Sequence, residues 1–176
     1  MKILICYAST EGQTRKIARF CADRLFDLGH AVELLPATDA TDLPDCDAAI
    51  LAGSVHVGRL QEALAEVATA HADRLNACPT LLLQVSLAAA GDDAEDRADL
   101  ERIAGEFVRA TGWTPGAVHH VAGAFRFTEY DFFKSWAMRW IAARKGQQVD
   151  PARDREYTDW AALDALMRDW SDSLVA

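Results

Sequence analysis

The chain has 176 residues, 51% of them hydrophobic, and a formal net charge of −9. Such a composition excludes a disordered chain, and the charge excludes general nucleic-acid binding, which needs clustered cations to neutralise phosphate. A length in this range suits one domain, residues 1–176, because a domain of roughly 150 residues already buries about 70% of its unfolded surface.

Residues 2–8, KILICYA, form a short apolar run with only Lys2 at its edge. Such a run, buried on both faces, predicts a central parallel strand. STEGQT follows, and then a helical period over 14–28 with Ile17, Phe20, Cys21, Leu25 and Leu28 on the apolar side and Gly29 as its stop. A strand that breaks into a turn and at once into a helix points backbone N–H groups at whatever sits above the strand. Ser9, Thr10 and Thr14 add hydroxyl donors. Neither G-x-G-x-x-G nor G-x-x-x-x-G-K-[ST] is present. On the residues alone, the loop reads equally well as a monophosphate site or as an ordinary helix cap.

Ala31 to Leu35 is a short second strand, and Asp47 to Gly53 (DAAILAG) a buried third one. SVHVGR, 54–59, reads as a loop, and 60–75 as a second helix with Leu60, Leu64, Val67 and His71 on one side. Thr80 to Ser86 (TLLLQVS) is a fourth strand, 87–93 a loop, and 94–111 a third helix on Leu100, Ile103, Ala104 and Phe107. A fifth strand lies within Ala117 to Phe127, and a last helix over 159–173. Alternating strands and helices predict an α/β fold, a five-stranded parallel sheet of order 2-1-3-4-5 covered by helices on both faces. Its ligand crevice lies beyond the carboxyl ends of strands 1, 3 and 4. These are the ends that carry Ser9–Thr14, Ser54–Arg59 and Ser86–Asp92.

Residues 128–157 interrupt the alternation, and an insertion of about 30 residues points to function. Within it YDFFKSWAMRWIAARK, 130–145, is helical in period, with Phe132, Phe133, Trp136 and Trp140 on one half and Lys134, Arg139 and Lys145 on the other. Packing on the domain, a substrate platform and a membrane-surface helix are the three readings of such a face. Cys6, Cys21, Cys46 and Cys78 form no C-x-x-C pair and read as small buried hydrophobes. Asp92, Asp93, Glu95, Asp96 and Asp99 cluster at a helix start, where carboxylates suit the helix dipole, and read as solvated. Among the histidines, His56 is a candidate proton-transfer group, and His119 and His120, at a strand start, are expected to be remote. No signal peptide precedes the first strand and no apolar run approaches about 18 residues, so a cytoplasmic protein is expected.

STEGQT after a first strand resembles the flavodoxin phosphate loop, [ST]-x-[ST]-G-x-T, with Glu11 at its central hydroxyl position. STEGQTRKIA, AGSVHVGRLQEAL, HADRLNACPTLLLQVSLAA, VAGAFRF and the insert ending in REYTDW resemble the flavodoxin-like protoporphyrinogen oxidases, the menaquinone-dependent protoporphyrinogen IX dehydrogenases of bacterial haem synthesis. The resemblance covers nearly the whole chain apart from Ala90–Glu101 and the extreme C-terminus. It implies FMN as cofactor, protoporphyrinogen IX as substrate and a quinone as electron acceptor. The phosphate would bind Ser9, Thr10, Glu11, Gly12, Gln13 and Thr14. The ring would lie between Ser54, Val55, His56, Val57 and Gly58 on one side and Ser86, Leu87, Ala88, Ala89, Ala90 and Gly91 on the other. Neither ring loop offers a Trp, Tyr or Phe, which suits an enzyme that admits a bulky planar substrate. Arg126, Phe132, Trp136, Arg139 and Trp140 are the expected substrate residues, and the 130–145 helix the expected peripheral membrane contact. A flavodoxin-type electron carrier, another FMN-dependent quinone or small-molecule reductase, and a flavin-free interaction module are the competing readings.

Overall fold

A computed structural model describes residues 1–125 and 155–175. The elements run β1 (Lys2–Ala8), α1 (Gln13–Asp27), β2 (Ala31–Pro36), β3 (Ala48–His56), β4 (Arg59–Leu60), α2 (Glu62–Ala70), α3 (Ala72–Asn76), β5 (Thr80–Ser86), α4 (Ala94–Thr111), β6 (Ala117–Ala122), β7 (Ala124–Phe125), β8 (Arg155–Glu156) and α5 (Trp160–Val175). Strands pair in the order β2-β1-β3-β5-β6, all parallel, the expected 2-1-3-4-5 arrangement. The short β4 folds back antiparallel on β3.

Strand alternation divides the core. Leu4, Cys6 and Ala8 of β1 join Ala49, Leu51 and Leu82 on the face covered by α2, α3 and α4, where Leu64, Val67, Leu75, Ile103, Phe107 and Trp113 pack. Ile3 and Ile5 join Ile50, Ala52, Leu81 and Leu83 on the other face, against Ile17, Cys21 and Leu25 of α1 and Leu163, Met167 and Trp170 of α5. Both faces of the central strands are therefore apolar, which is why their sequences read as unbroken runs. Burial pushes the thiols of Cys6 and Cys21 up to about 12. They are inert packing groups, as expected.

Three elements depart from the sequence reading. The 54–59 stretch is no loop: β3 runs on to His56, and His56 pairs with Arg59 across a two-residue turn. Val57 (φ 49°) and Gly58 (φ 72°) both hold positive φ, the signature of a type I′ hairpin turn. The helix expected over 60–75 is split into α2 and α3 at His71. The strand expected within 117–127 is interrupted at Gly123, and beyond it Ala124 and Phe125 pair with Arg155 and Glu156 as a separate ladder. His119 and His120 lie inside β6, opposite Leu83 and Gln84, rather than at its start. The helix expected at 130–145 lies outside the described residues.

Gly53 shows how tightly the hairpin's root is packed. A Cβ there would sit 2.7 Å from Leu64 Cδ2 and 3.1 Å from Leu60 Cδ2. Gly53→Ala is expected to cost about 1–3 kcal/mol of stability by overpacking, read as a lower urea midpoint at unchanged m-value. An unchanged midpoint would mean that α2 yields freely.

Candidate functional site

The carboxyl ends of β1, β3 and β5 lie side by side, with Ala8 opposite Gly53 and Ser54 opposite Val85. The three following loops surround one cavity of about 270 Å³.

The first wall is the turn between β1 and α1. Ser9 Oγ accepts the N–H of Gly12 at 3.0 Å, and Gly12 takes a left-handed conformation, φ 88°. That turn lets α1 begin at once. Lys16 is the first residue whose N–H reaches a helical carbonyl, that of Gly12 at 3.1 Å. The N–H groups of Gln13, Thr14 and Arg15 come before it, without carbonyl partners among the described residues. Ser9, Thr10, Glu11, Gln13 and Thr14 line the cavity, while Gly12 shapes the turn behind them. Thr14 is buried, and Glu11 is exposed at the rim. Three orphan N–H groups with hydroxyls beside them, and no cation inside the turn, make a donor set that fits a phosphate ester.

The second wall is the β3–β4 hairpin: Ser54 and Val55 half-buried, His56, Val57 and Gly58 exposed. One side chain that the sequence reading missed joins the first two walls. Gln61 Nε2, just before α2, donates to Thr10 Oγ1 at 2.8 Å and to Ser54 Oγ. The third wall is the turn after β5. Ser86, Leu87 and Ala88 line the cavity; Ala89 and Ala90 complete a short 3₁₀ turn, and with Gly91 they lie outside the lining. Ser86 Oγ accepts the N–H of Ala89 at 3.2 Å.

A fourth wall was not foreseen. Asp96, Asp99, Leu100 and Ile103 of α4 line the cavity, with Gly123 and Ala124 after β6. Asp93 is the N-cap of α4, accepting from the N–H groups of Glu95 (2.8 Å) and Asp96 (3.3 Å). Two members of the acidic cluster thus face the cavity, which corrects its reading as a wholly solvated helix start. Buried Gln84 helps to seat this wall, its Nε2 donating to Leu100 O at 3.1 Å. Among the described residues no Trp, Tyr or Phe lines the cavity. His119 and His120 are not part of the lining, and His120 Nε2 lies 3.1 Å from Glu101.

The chain that follows the insert returns to this end of the sheet. Tyr157 N–H reaches Gly123 O at 3.0 Å, and Thr158 Oγ1 donates to Ala122 O at 2.7 Å. Gln13 Nε2 donates to Thr158 Oγ1 (2.9 Å) and Glu156 Oε2 (3.2 Å), while Lys16 Nζ meets Glu156 Oε2 at 2.6 Å. The segment that follows the insert is therefore held against the start of α1. Arg126, Phe132, Trp136, Arg139 and Trp140 lie outside the described residues.

Residues 4–152 match the flavodoxin domain. The chain belongs to that family. Over 171 residues it is 26% identical to the protoporphyrinogen IX dehydrogenase [quinone] of Escherichia coli K12, covering 96% of this chain and 94% of that one. A protein of the same name from Leishmania major is 27% identical over 178 residues, 97% of this chain and 74% of that one. In fold the chain is similar to the Streptococcus pneumoniae flavodoxin, with a TM-score of 0.57 at 19% identity, covering 99% and 98% of the two chains. These matches put the chain among the flavin-type oxidoreductases.

Two substitutions probe the ties between the walls. Gln61→Ala removes both hydrogen bonds that link the first two walls. At roughly 1 kcal/mol each, flavin affinity is expected to fall about 5- to 30-fold, measured by fluorescence titration; unchanged affinity would mean that Gln61 does not shape the site. Glu156 is held below the usual glutamate range by the hydrogen bond from Lys16, helped by those from Trp160 and Gln13. A depressed carboxyl stabilises the fold above its unfolded value and loses that contribution as pH falls through the folded one. The melting temperature of Glu156→Gln should therefore fall furthest below wild type near neutrality, and the gap should close as pH drops below 4.5. A gap that ignores pH would contradict the ion pair's role.

Proposed function

We propose that this chain is an FMN-dependent dehydrogenase that oxidises protoporphyrinogen IX to protoporphyrin IX in haem biosynthesis and passes the electrons to a quinone. The observation that carries the reading is the match to the dehydrogenases over 96% of the chain, an extent that includes the insert beyond a plain flavodoxin's needs. The cavity supports it. Its ring loops present His56, Val57, Leu87 and Ala88 rather than aromatic plates, which leaves room for a second flat molecule.

In this reading the phosphate of FMN lies on the N–H groups of Gln13, Thr14 and Arg15, with Ser9, Thr10 and Thr14 as hydroxyl donors. Gly12 is required for the turn, and Glu11 stays in solvent. The ring takes the space between the 54–58 hairpin and Ser86–Ala88, with Ala89, Ala90 and Gly91 behind. FMN, when bound, supplies the two-electron chemistry. The protein's share is to hold the ring, exclude water with Leu87, Leu100 and Ile103, and orient a large apolar disc. The aromatic half of 130–145 provides the platform through Phe132, Trp136 and Trp140, and Arg126 and Arg139 pair with the propionates. The whole chain acts as one domain in the cytoplasm. The same helix meets the membrane surface, where a quinone is within reach.

Purified protein should show the bands of bound oxidised flavin, and the released cofactor should be FMN. Anaerobic protoporphyrinogen IX should bleach those bands at a catalytic rate, and a quinone should restore them. A flavin that stays oxidised with this substrate, yet exchanges electrons with protein partners, would mark a carrier instead. Protein that takes up no FMN would overturn the reading entirely.

A further inference from the structure

The cavity lining holds ionisable groups, His56, Asp96 and Asp99 among them, whose acid–base chemistry the proposed function leaves unused. Asp96, in the first turn of α4, lines the cavity together with Ser54, Leu87 and Leu100. Its carboxylate is half-buried and has no hydrogen bond or ion pair among the described residues. The other acids of the lining are placed differently: Asp99 is paired with Arg102 at 3.3 Å, and Glu11 is exposed. We propose that Asp96 is the proton acceptor of the dehydrogenation, receiving a pyrrole N–H of the porphyrinogen. The assignment rests on the function proposed for this cavity.

The substrate's own chemistry calls for such a group. The first two-electron oxidation of a porphyrinogen removes one hydrogen with its electron pair from a methylene bridge and one proton from a pyrrole nitrogen. The bridge C–H bond breaks and its hydride equivalent goes to the flavin, the oxidant. The N–H bond breaks, its electron pair stays on nitrogen to form the new C=N bond, and the proton forms an O–H bond on Asp96. From there it leaves to water. An unpaired carboxylate is a pure acceptor, so it suits a ring of N–H donors. The same negative wall repels propionates, so the macrocycle would enter with its propionates turned away from α4.

The electrostatics agree with the task. Burial, and then the negative charges of Asp93, Asp99 and Glu95, raise the Asp96 carboxyl above the usual aspartate range. That makes it a stronger base than a solvated aspartate and moves it towards the working pH of an acid–base group. The charged and titratable groups around it are those three acids on its own helix, Glu11 from the first turn, and His56 and Arg59 from the hairpin whose β4 packs on α4.

The test uses flavin-loaded protein and two readouts. The first is single-turnover flavin reduction by protoporphyrinogen IX across pH. The second is equilibrium binding of 5,5-dimethyldipyrromethane, which keeps two pyrrole N–H groups on a bridge with no hydrogen to lose. In wild type, reduction should quicken and the probe should bind more tightly as pH rises through the Asp96 pKa. Asp96→Asn should slow reduction on the order of 10²-fold, flatten its pH profile and weaken the probe about tenfold. Glu95→Gln, which removes a charge from the same cluster but none from the lining, should stay within about threefold on both readouts. Asp96→Glu, which restores a carboxylate, should recover part of the rate and so separate lost chemistry from lost folding. Asp96→Asn with the wild-type rate and pH profile, or with unchanged probe affinity, overturns the assignment and leaves the proposed function standing. Wild-type flavin that the porphyrinogen fails to reduce overturns the proposed function and this assignment with it.

Discussion

A parallel sheet buried on both faces can offer a ligand only its ends. The alternation of Ile3 and Ile5 to one layer and Leu4 and Cys6 to the other commits every one of these β1 side chains to packing. Chemistry must then come from the turns beyond the strand ends. Direct parallel register places the ends of β1, β3 and β5 next to one another, so three short turns, far apart in sequence, share one cavity. The left-handed turn at Gly12 and the tight seat of Gly53 under Leu64 and Leu60 are local consequences of that arrangement. Each lets the chain leave a buried strand at the angle the cavity needs.

Much of this was legible because burial leaves a strong pattern. Apolar runs gave the strands, the 3.6-residue period gave α1 and α4, and their alternation gave the strand order. The turn after β1 was legible as a strand–helix junction from its hydroxyls and single glycine, but residue type alone did not separate a phosphate site from an ordinary helix cap. The hairpin at 56–59 was not, because its turn is Val57-Gly58 instead of Asn-Gly. A β-branched residue at positive φ carries no turn signal. Gln61 was invisible for a different reason: its amide reaches Thr10 across 51 residues of sequence and Ser54 across 7, and no local pattern encodes such a junction. The acidic start of α4 misled because cap, dipole and cavity all favour carboxylates there, and only the fold reveals that Asp96 and Asp99 face inward.

The site's character lies in what its walls lack as much as in what they hold. His56, Val57, Leu87 and Ala88 line the cavity where aromatic plates would otherwise narrow it. The return of the chain at Glu156–Thr158 ties the insert's far end to Gln13 and Lys16. The hydroxyl donors of the first turn and the carboxylates of α4 line one and the same cavity.

The central claim is that this chain oxidises a porphyrinogen in haem synthesis, and genetic complementation tests it most directly. Expressed in a bacterial strain that lacks its own protoporphyrinogen-oxidising enzymes and needs added haem, the intact chain should restore growth without haem, and a Gly12→Pro variant, whose phosphate turn cannot form, should not. Continued haem dependence with the flavin-loaded protein present in the cells would contradict the account.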